Sequence, residues 1–235
     1  MKYILLITSL LVIGFSTLVS VPGSPYLIGG MTQADISAMH PTQITPAGIT
    51  FAIWSVIYAS WILVGIYFAF FAQASNSSEE RILSKYAFAI FLSAVWLIPW
   101  GFNMVGIACM ILLMIFGLMM DVFLSSRKSH PILKWSIELT FGWINIAVLA
   151  NMTIWLISIG FIGNSIPEKY WTIGALSSIS LFVFYYQFRY RAYIISFVFF
   201  WAAYGIWIAH PNLEVILAFW SSLICMSILY SFWKK

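Results

Sequence analysis

In the stretch GWINIAVLANMTIW, Trp143, Ala147, Asn151 and Trp155 recur at every fourth residue. On a helix such residues form one slightly drifting stripe. An amide and two indoles flanking a small residue could line a recess with hydrogen-bonding walls. The same stripe also reads as helix packing, with Ala147 as a point of close approach and Asn151 as interhelical glue. Periodicity leaves both open. A second stretch, TPAGITFAIWSVIY, raises the same question. Hydropathy accounts for its Phe51, Ile53 and Ile57, but not for Pro46, Gly48, Trp54 and Tyr58 together.

The elements that position these residues follow from composition. The 235-residue chain is 63% hydrophobic and 8% charged, where a soluble domain carries about 25% charged residues. This indicates an all-α integral membrane protein, because lipid forces each segment to satisfy its own backbone polar groups. The apolar runs are long and continuous, unlike the short alternating strands of a barrel. Eight spans of roughly 17–25 residues are expected: Tyr3–Ser20, Gly48–Ala72, Tyr86–Phe102, Asn103–Leu124, Ile132–Ile159, Trp171–Phe188, Ala192–Ala209 and Leu213–Trp233. The turn in WGFNMVG is very short, and only Gly101 and Asn103 offer turn chemistry there. The first span also has the outline of a signal peptide: a lysine, an apolar core, then small residues.

Charge placement favours keeping it. With the N-terminus inside, inner segments hold Lys2, Arg81, Lys85, Arg127, Lys128, Lys134, Arg189, Arg191, Lys234 and Lys235, and outer segments hold only Lys169. The positive-inside rule then places both termini in the cytoplasm. The net charge of +4 is spread over these connections and is no nucleic-acid signal. Cys109 and Cys225 lie in apolar runs and read as small core residues. The expected partners are membrane lipids and a hydrophobic small ligand, with no nucleic acid; a homodimer is left open. FYYQFRYR, between the sixth and seventh spans, reads as an anchor where aromatics and arginines meet headgroups.

No ionisable group falls near the centre of a span. Asp121 and Glu138 lie near inner ends, Glu138 within reach of Lys134 at i, i+4. Glu214 starts the eighth span, and His40, His130 and His210 are in connections. This lowers the expectation of an ion-coupled pump or channel. There is also no metal cluster, no Ser–His–Asp set and no phosphate loop, so no catalytic or metal residue is assigned. The chain offers aromatics instead: 12 Trp, 12 Tyr and 20 Phe. Trp135 and Trp233 fit an inner interfacial belt, and Trp100, Trp155, Trp171 and Trp207 an outer one. Trp61, Trp96, Trp143, Trp201 and Trp220 map deeper. A buried indole N–H wants an acceptor, so these point to packed polar features or to a ligand cavity.

Taken in order, three blocks resemble the TspO/MBR family of tryptophan-rich sensory and translocator proteins. They are TPAGITFAIWSVIY, with its Trp54–Tyr58 pair; LSAVWLIPWGF, with Trp96 and Trp100; and GWINIAVLANMTIW. TQADIS and the further C-terminal spans resemble the longer bacterial branch. The blocks run from about Met1 to Gly163. The resemblance implies a five-helix bundle over 1–163, with 21–45 as a lid-like loop, and three additional helices over 164–235. It implies a bacterial plasma membrane and a ligand site of Trp54, Tyr58, Trp96, Trp100, Trp143, Ala147, Asn151 and Trp155. The ligand it implies is a tetrapyrrole such as protoporphyrin IX, with no resident cofactor. The family's third-helix Asn is replaced near Ser93, and the cholesterol-associated pattern is missing after Trp155. Three functions follow as expectations. The first is a sensory or regulatory ligand-binding protein, the second a transporter of an apolar or tetrapyrrole compound, the third a porphyrin-degrading enzyme.

Overall fold

The computed structural model describes residues 3–71 and 77–211. Among these residues the chain is helical and forms no strand. In chain order the helices are α1 (Ile4–Leu18), α2 (Gln33–Met39), α3 (Ile53–Ile66), α4 (Ser77–Gly101), α5 (Val105–Ser125), α6 (Pro131–Ser158), α7 (Glu168–Tyr190) and α8 (Tyr193–Ala209). The α3 segment is longer than its α-helical part. A 3-10 turn, Gly48–Ala52, leads into it and a π turn, Tyr67–Phe71, follows it.

Local chemistry sets the boundaries. Pro131 occupies the first turn of α6, where its missing N–H costs nothing, and the His130 side chain accepts from the Ile132 N–H as the cap. The short turn between α4 and α5 uses Asn103 in the left-handed region, φ 56°, a conformation Asn tolerates better than most residues. The Met104 N–H closes this turn on the Pro99 carbonyl at 2.8 Å. The loop 21–45 carries structure of its own. α2 opens on a capping box in which Thr32 accepts from the Asp35 N–H and Asp35 accepts from the Thr32 N–H. Each side chain satisfies a donor that the helix start would leave unpaired.

Five helices close a ring. α1 packs between α3 and α4, α5 between α4 and α6, and α6 returns to α3. α5 runs antiparallel to both α4 and α6 across short turns, and the contacts of Gly29 with Gly101 and of His40 with Asn103 put the lid and the α4–α5 turn at one end of the bundle. The α5–α6 turn marks the other. α8 packs on α6 outside this ring and also touches the 48–52 turn, while α7 packs on α8. The core holds Trp61, Tyr86, Phe123, Phe141 and Tyr186, all fully buried. Leu11, Val56, Leu63, Phe91, Met114 and Phe197 are exposed on the periphery, as a lipid-facing surface requires.

The protein is an integral membrane protein. Four segments are long and apolar enough to cross a bilayer: Gly48–Phe71, Ser78–Gly101, Val105–Lys128 and Pro131–Ser158. α1 and α8 are apolar but shorter, at 15 and 17 residues. At 1.5 Å per residue they reach about 22–26 Å, against a hydrocarbon core of about 30 Å. The described helices therefore establish four spans, where eight are expected. α7 has Glu168 and Arg189 at its ends and Ser177, Ser178 and Ser180 within it. The expected eighth span, Leu213–Trp233, lies outside the described residues.

Candidate functional site

α3 presents Trp54, Tyr58 and Trp61 on one face, three and four residues apart. Their rings touch in series: Trp54 to Tyr58 with centroids 5.5 Å apart, and Tyr58 to Trp61 at 5.2 Å. α6 closes on this face with Trp143, edge-on to Trp54 at 6.5 Å and to Phe51 at 5.7 Å. Such edge-to-face pairs place a positive ring edge on a negative ring face. Trp143 is buried, while Trp54 and Tyr58 are half-buried. The Tyr58 hydroxyl faces Ser16 of α1, which brings a third helix to the site.

A second cluster forms between α4, α6 and the lid. Trp96 and Trp100 stack at 5.1 Å and 26°. The Trp96 indole N–H donates to the Asn151 amide oxygen at 3.3 Å, and the Asn151 amide N–H donates to the Ala147 carbonyl at 3.0 Å. Trp100 donates to the Gln33 carbonyl of α2 at 3.4 Å. Ala147 thus acts through its backbone.

The α6 stripe does not act as one wall. Residues four apart advance about 400° around a helix of 3.6 residues per turn, a drift of about 40° at each step. Trp143 consequently meets α3, Asn151 meets α4 and Trp155 meets α5. There the Trp155 indole lies against Gly106, where an added Cβ would come within 3.0 Å of the indole nitrogen. Trp155 shares an apolar cluster with Trp96, Trp100 and Ile36 of the lid, and is separate from the Trp54–Trp143 group.

A buried chain of polar groups lies between this site and the far end of the bundle. The Trp61 indole N–H donates to the Thr140 hydroxyl at 2.9 Å. The Tyr86 hydroxyl bonds Thr140 at 2.8 Å, the Ser136 hydroxyl at 2.9 Å and the Ser136 carbonyl at 3.1 Å. Ser136 bonds Ser60 at 2.8 Å, and Ser60 donates to the Ile57 carbonyl at 2.7 Å. The ends of the chain are fixed: the Trp61 indole can only donate, and the Ile57 carbonyl can only accept. Between this chain and the aromatic cluster is a cavity of about 10 Å³, lined by Trp54, Trp61, Ser93, Thr140, Met119 and Ile144 among others. That is the scale of one water. Ser93, at the position expected to have lost an amide, lines the cavity and donates to the Ile90 carbonyl.

The lid is docked. Ile36 of α2 is fully buried against Trp100, Val105, Ala108 and Ile154. The His40 Nε2–H donates to the Asn103 amide oxygen at 2.7 Å. Gly29 has φ 64°, and a Cβ there would overlap the Gly101 carbonyl. The Thr32 hydroxyl, and then the Thr32 backbone N–H, hold the Asp35 carboxyl below the usual carboxylate range. Charge lies mainly at the other end. There Glu138, almost fully buried, pairs with Arg127 at 2.7 Å and more loosely with its expected partner Lys134 at 4.0 Å. Lys85 pairs with Asp121 between α4 and α5.

The TSPO-like protein family model covers residues 2–233. The chain belongs to this family. No curated protein and no solved structure matches it. The match extends through the C-terminal helices, well beyond the Gly163 limit of the sequence blocks. Membership in the TSPO-like family points to ligand binding or transport in a membrane.

Two contributors to this TSPO-like site were not picked out as site residues from the sequence. Trp61 continues the Trp54–Tyr58 face by three residues, a helical spacing that was available. Phe51 lies in the 3-10 turn before α3, where helical periodicity does not apply. The Trp61–Tyr86–Ser136–Thr140 network joins α3, α4 and α6; Ser136 and Thr140 are four apart on α6, but nothing local marks their partners on the other two helices.

Proposed function

We propose that this TSPO-like protein binds a flat, apolar aromatic ligand of the tetrapyrrole class and acts in sensing or regulation. What carries the proposal is the convergence of Trp54, Tyr58, Trp96, Trp143 and Asn151, from three helices, beneath a docked lid. Indole faces give a planar ligand stacking area. The Trp96 N–H and the Asn151 amide offer hydrogen bonds to its edge. Apolar walls with a few placed polar groups are the usual form of a small-ligand site. Trp100, Ala147 and Trp155 complete the side nearest the lid.

The cavity of about 10 Å³ imposes a condition. A tetrapyrrole needs several hundred Å³, so binding separates the rings of Trp54, Tyr58 and Trp96. These three are half-buried and can turn more freely than Trp143. Among the described residues the lid end carries one Lys or Arg, Lys169, next to Glu168. Acidic groups on a ligand gain little from it, so recognition falls on the aromatic body. In this proposal the chain crosses a bacterial inner membrane eight times, with both termini and the basic end in the cytoplasm. Residues 1–163 form the binding bundle.

Titrating the detergent-solubilised protein with protoporphyrin IX, with inner-filter correction, tests the proposal. The expected result is saturable micromolar quenching of tryptophan fluorescence. Linear quenching without saturation would mean partitioning into the micelle and would remove the tetrapyrrole assignment. Flux of the same compound across proteoliposomes would indicate carriage, and bleaching that scales with protein and time would indicate turnover.

A further inference from the structure

The C-terminal helices make a set of bonds that the binding site does not use. They converge on one short segment, residues 43–50, which joins the lid to α3. The Gln43 N–H donates to the Glu168 carboxylate at the start of α7, at 2.7 Å. The Ala47 N–H donates to the Gly205 carbonyl of α8 at 2.9 Å. The Trp201 indole N–H of α8 donates to the Thr50 carbonyl at 2.7 Å. His210, capping the end of α8, donates from Nε2 to the Thr45 carbonyl at 3.1 Å. Ile44 is fully buried against Ala175, Leu176 and Ile206. Thr50 seats on Gly205, where any Cβ would overlap its side chain.

We infer that the α7–α8 pair is the anchor of the lid, and that it sets how fast a ligand reaches the aromatic site. This rests on the proposed binding function for its second half only. The two halves of the lid are held differently. Residues 43–50 have four hydrogen bonds to α7, α8 and the residue capping α8, one of them to a carboxylate, and bonds to charged groups are the stronger kind. The α2 half has His40 on Asn103, two long bonds at 3.4 Å through Gln33, and buried Ile36. Opening therefore proceeds by lifting α2 while 43–50 stays fixed. Loss of the anchor frees the second half and the start of α3, which carries Phe51 and Trp54. Glu168, Trp201 and His210 are positioning residues in this scheme, since none of them belongs to the proposed ligand site.

Hydrogen exchange on the full-length protein in detergent tests the anchor without any ligand. The variants are Glu168→Ala and Trp201→Phe, with Trp207→Phe on the exposed side of α8 as control. Losing one such bond is expected to speed exchange across residues 42–50 by about fivefold to tenfold. Exchange across α5 should stay unchanged, which shows that the variants are folded. Trp201→Phe is the sharper variant: it removes a bond to a carbonyl, so faster exchange at the Thr45 and Ala47 amides requires release of the whole segment. Unchanged exchange in 42–50 in both variants, or an equal change in Trp207→Phe, overturns the anchor. Stopped-flow quenching by protoporphyrin IX then reads the second half. Association faster by a similar factor supports control of access, and unchanged association overturns it. If the wild-type protein does not bind protoporphyrin IX, the binding proposal fails and the exchange result still decides the anchor.

Discussion

The lid end and the opposite half of the same bundle are built on different chemistry. Beneath the lid-end rings, the hydroxyls between Trp61 and Ile57 are all hydrogen-bonded, and at the far end Glu138 is paired with Arg127. Such a bonded network holds one arrangement, because displacement breaks bonds between buried polar groups. At the lid end Trp54 meets Tyr58 and Trp143 through ring contacts, and Trp96 stacks on Trp100. Two hydrogen bonds tie Trp96, Asn151 and Ala147 together. Ring contacts exchange readily for contacts with another flat molecule. One half of the bundle is therefore suited to define the fold and the other to accommodate a guest.

The largest effect that would sharpen this contrast is on stability. Arg127→Met leaves Glu138 buried with only the looser Lys134 contact. It is expected to cost about 3 kcal/mol, seen as a lower thermal midpoint in detergent, with ligand affinity of the folded protein intact. Tyr86→Phe comes next. It takes one partner from each of the Thr140 and Ser136 hydroxyls, which keep Trp61 and Ser60, and is expected to cost about 1–3 kcal/mol, again with little change in affinity. A loss of binding equal to that of a lid-end variant would break the distinction. Asn151→Ala works in the other direction. It removes the acceptor of Trp96 and is expected to weaken ligand binding by about tenfold while shifting the thermal midpoint less than Tyr86→Phe.

The smallest effect belongs to the lid. The Asp35 carboxyl titrates below its unfolded value, so its contribution to the α2 capping box is present above the unfolded pKa. That contribution is lost as pH falls through the lower, folded pKa. Asp35→Asn is accordingly expected to speed exchange in residues 33–39 at pH 6. The difference from the wild type should begin to narrow only below about pH 4 and disappear once the pH is below the lowered, folded pKa. A difference that does not narrow with acidification would assign the effect to something other than the carboxylate.

Much of this architecture was legible before any coordinates. The helices α5, α6 and α8 begin and end within two residues of the expected spans, because apolar runs and the Pro131 and Asn103 signals mark them locally. The Trp54–Tyr58 pair and the Asn151 amide were legible from spacing. Other features were not. α4 starts nine residues before Tyr86, since its polar first turns, SSEER, lack the hydropathy that defines a span. The spacing of the α6 stripe leaves a recess and helix packing both open, and the drift of the helix shares its residues among α3, α4 and α5. α2 was missed within the lid because seven residues are too few to show a period. The tyrosine network and the α7–α8 anchor are tertiary: they pair Tyr86 with Thr140, and Gln43 with Glu168, and no local pattern marks such partners.

A matched pair of conservative substitutions bears most directly on the central claim. Protoporphyrin IX would be titrated into Trp143→Phe and Tyr86→Phe side by side, with thermal midpoints measured on the same samples. The account predicts a dissociation constant about tenfold weaker in Trp143→Phe, and one within about twofold of wild type in Tyr86→Phe. Tyr86→Phe should carry the larger loss of thermal stability. Equal affinities in the two variants, or weaker binding in Tyr86→Phe alone, would contradict the assignment of the lid-end aromatic cluster as the ligand site.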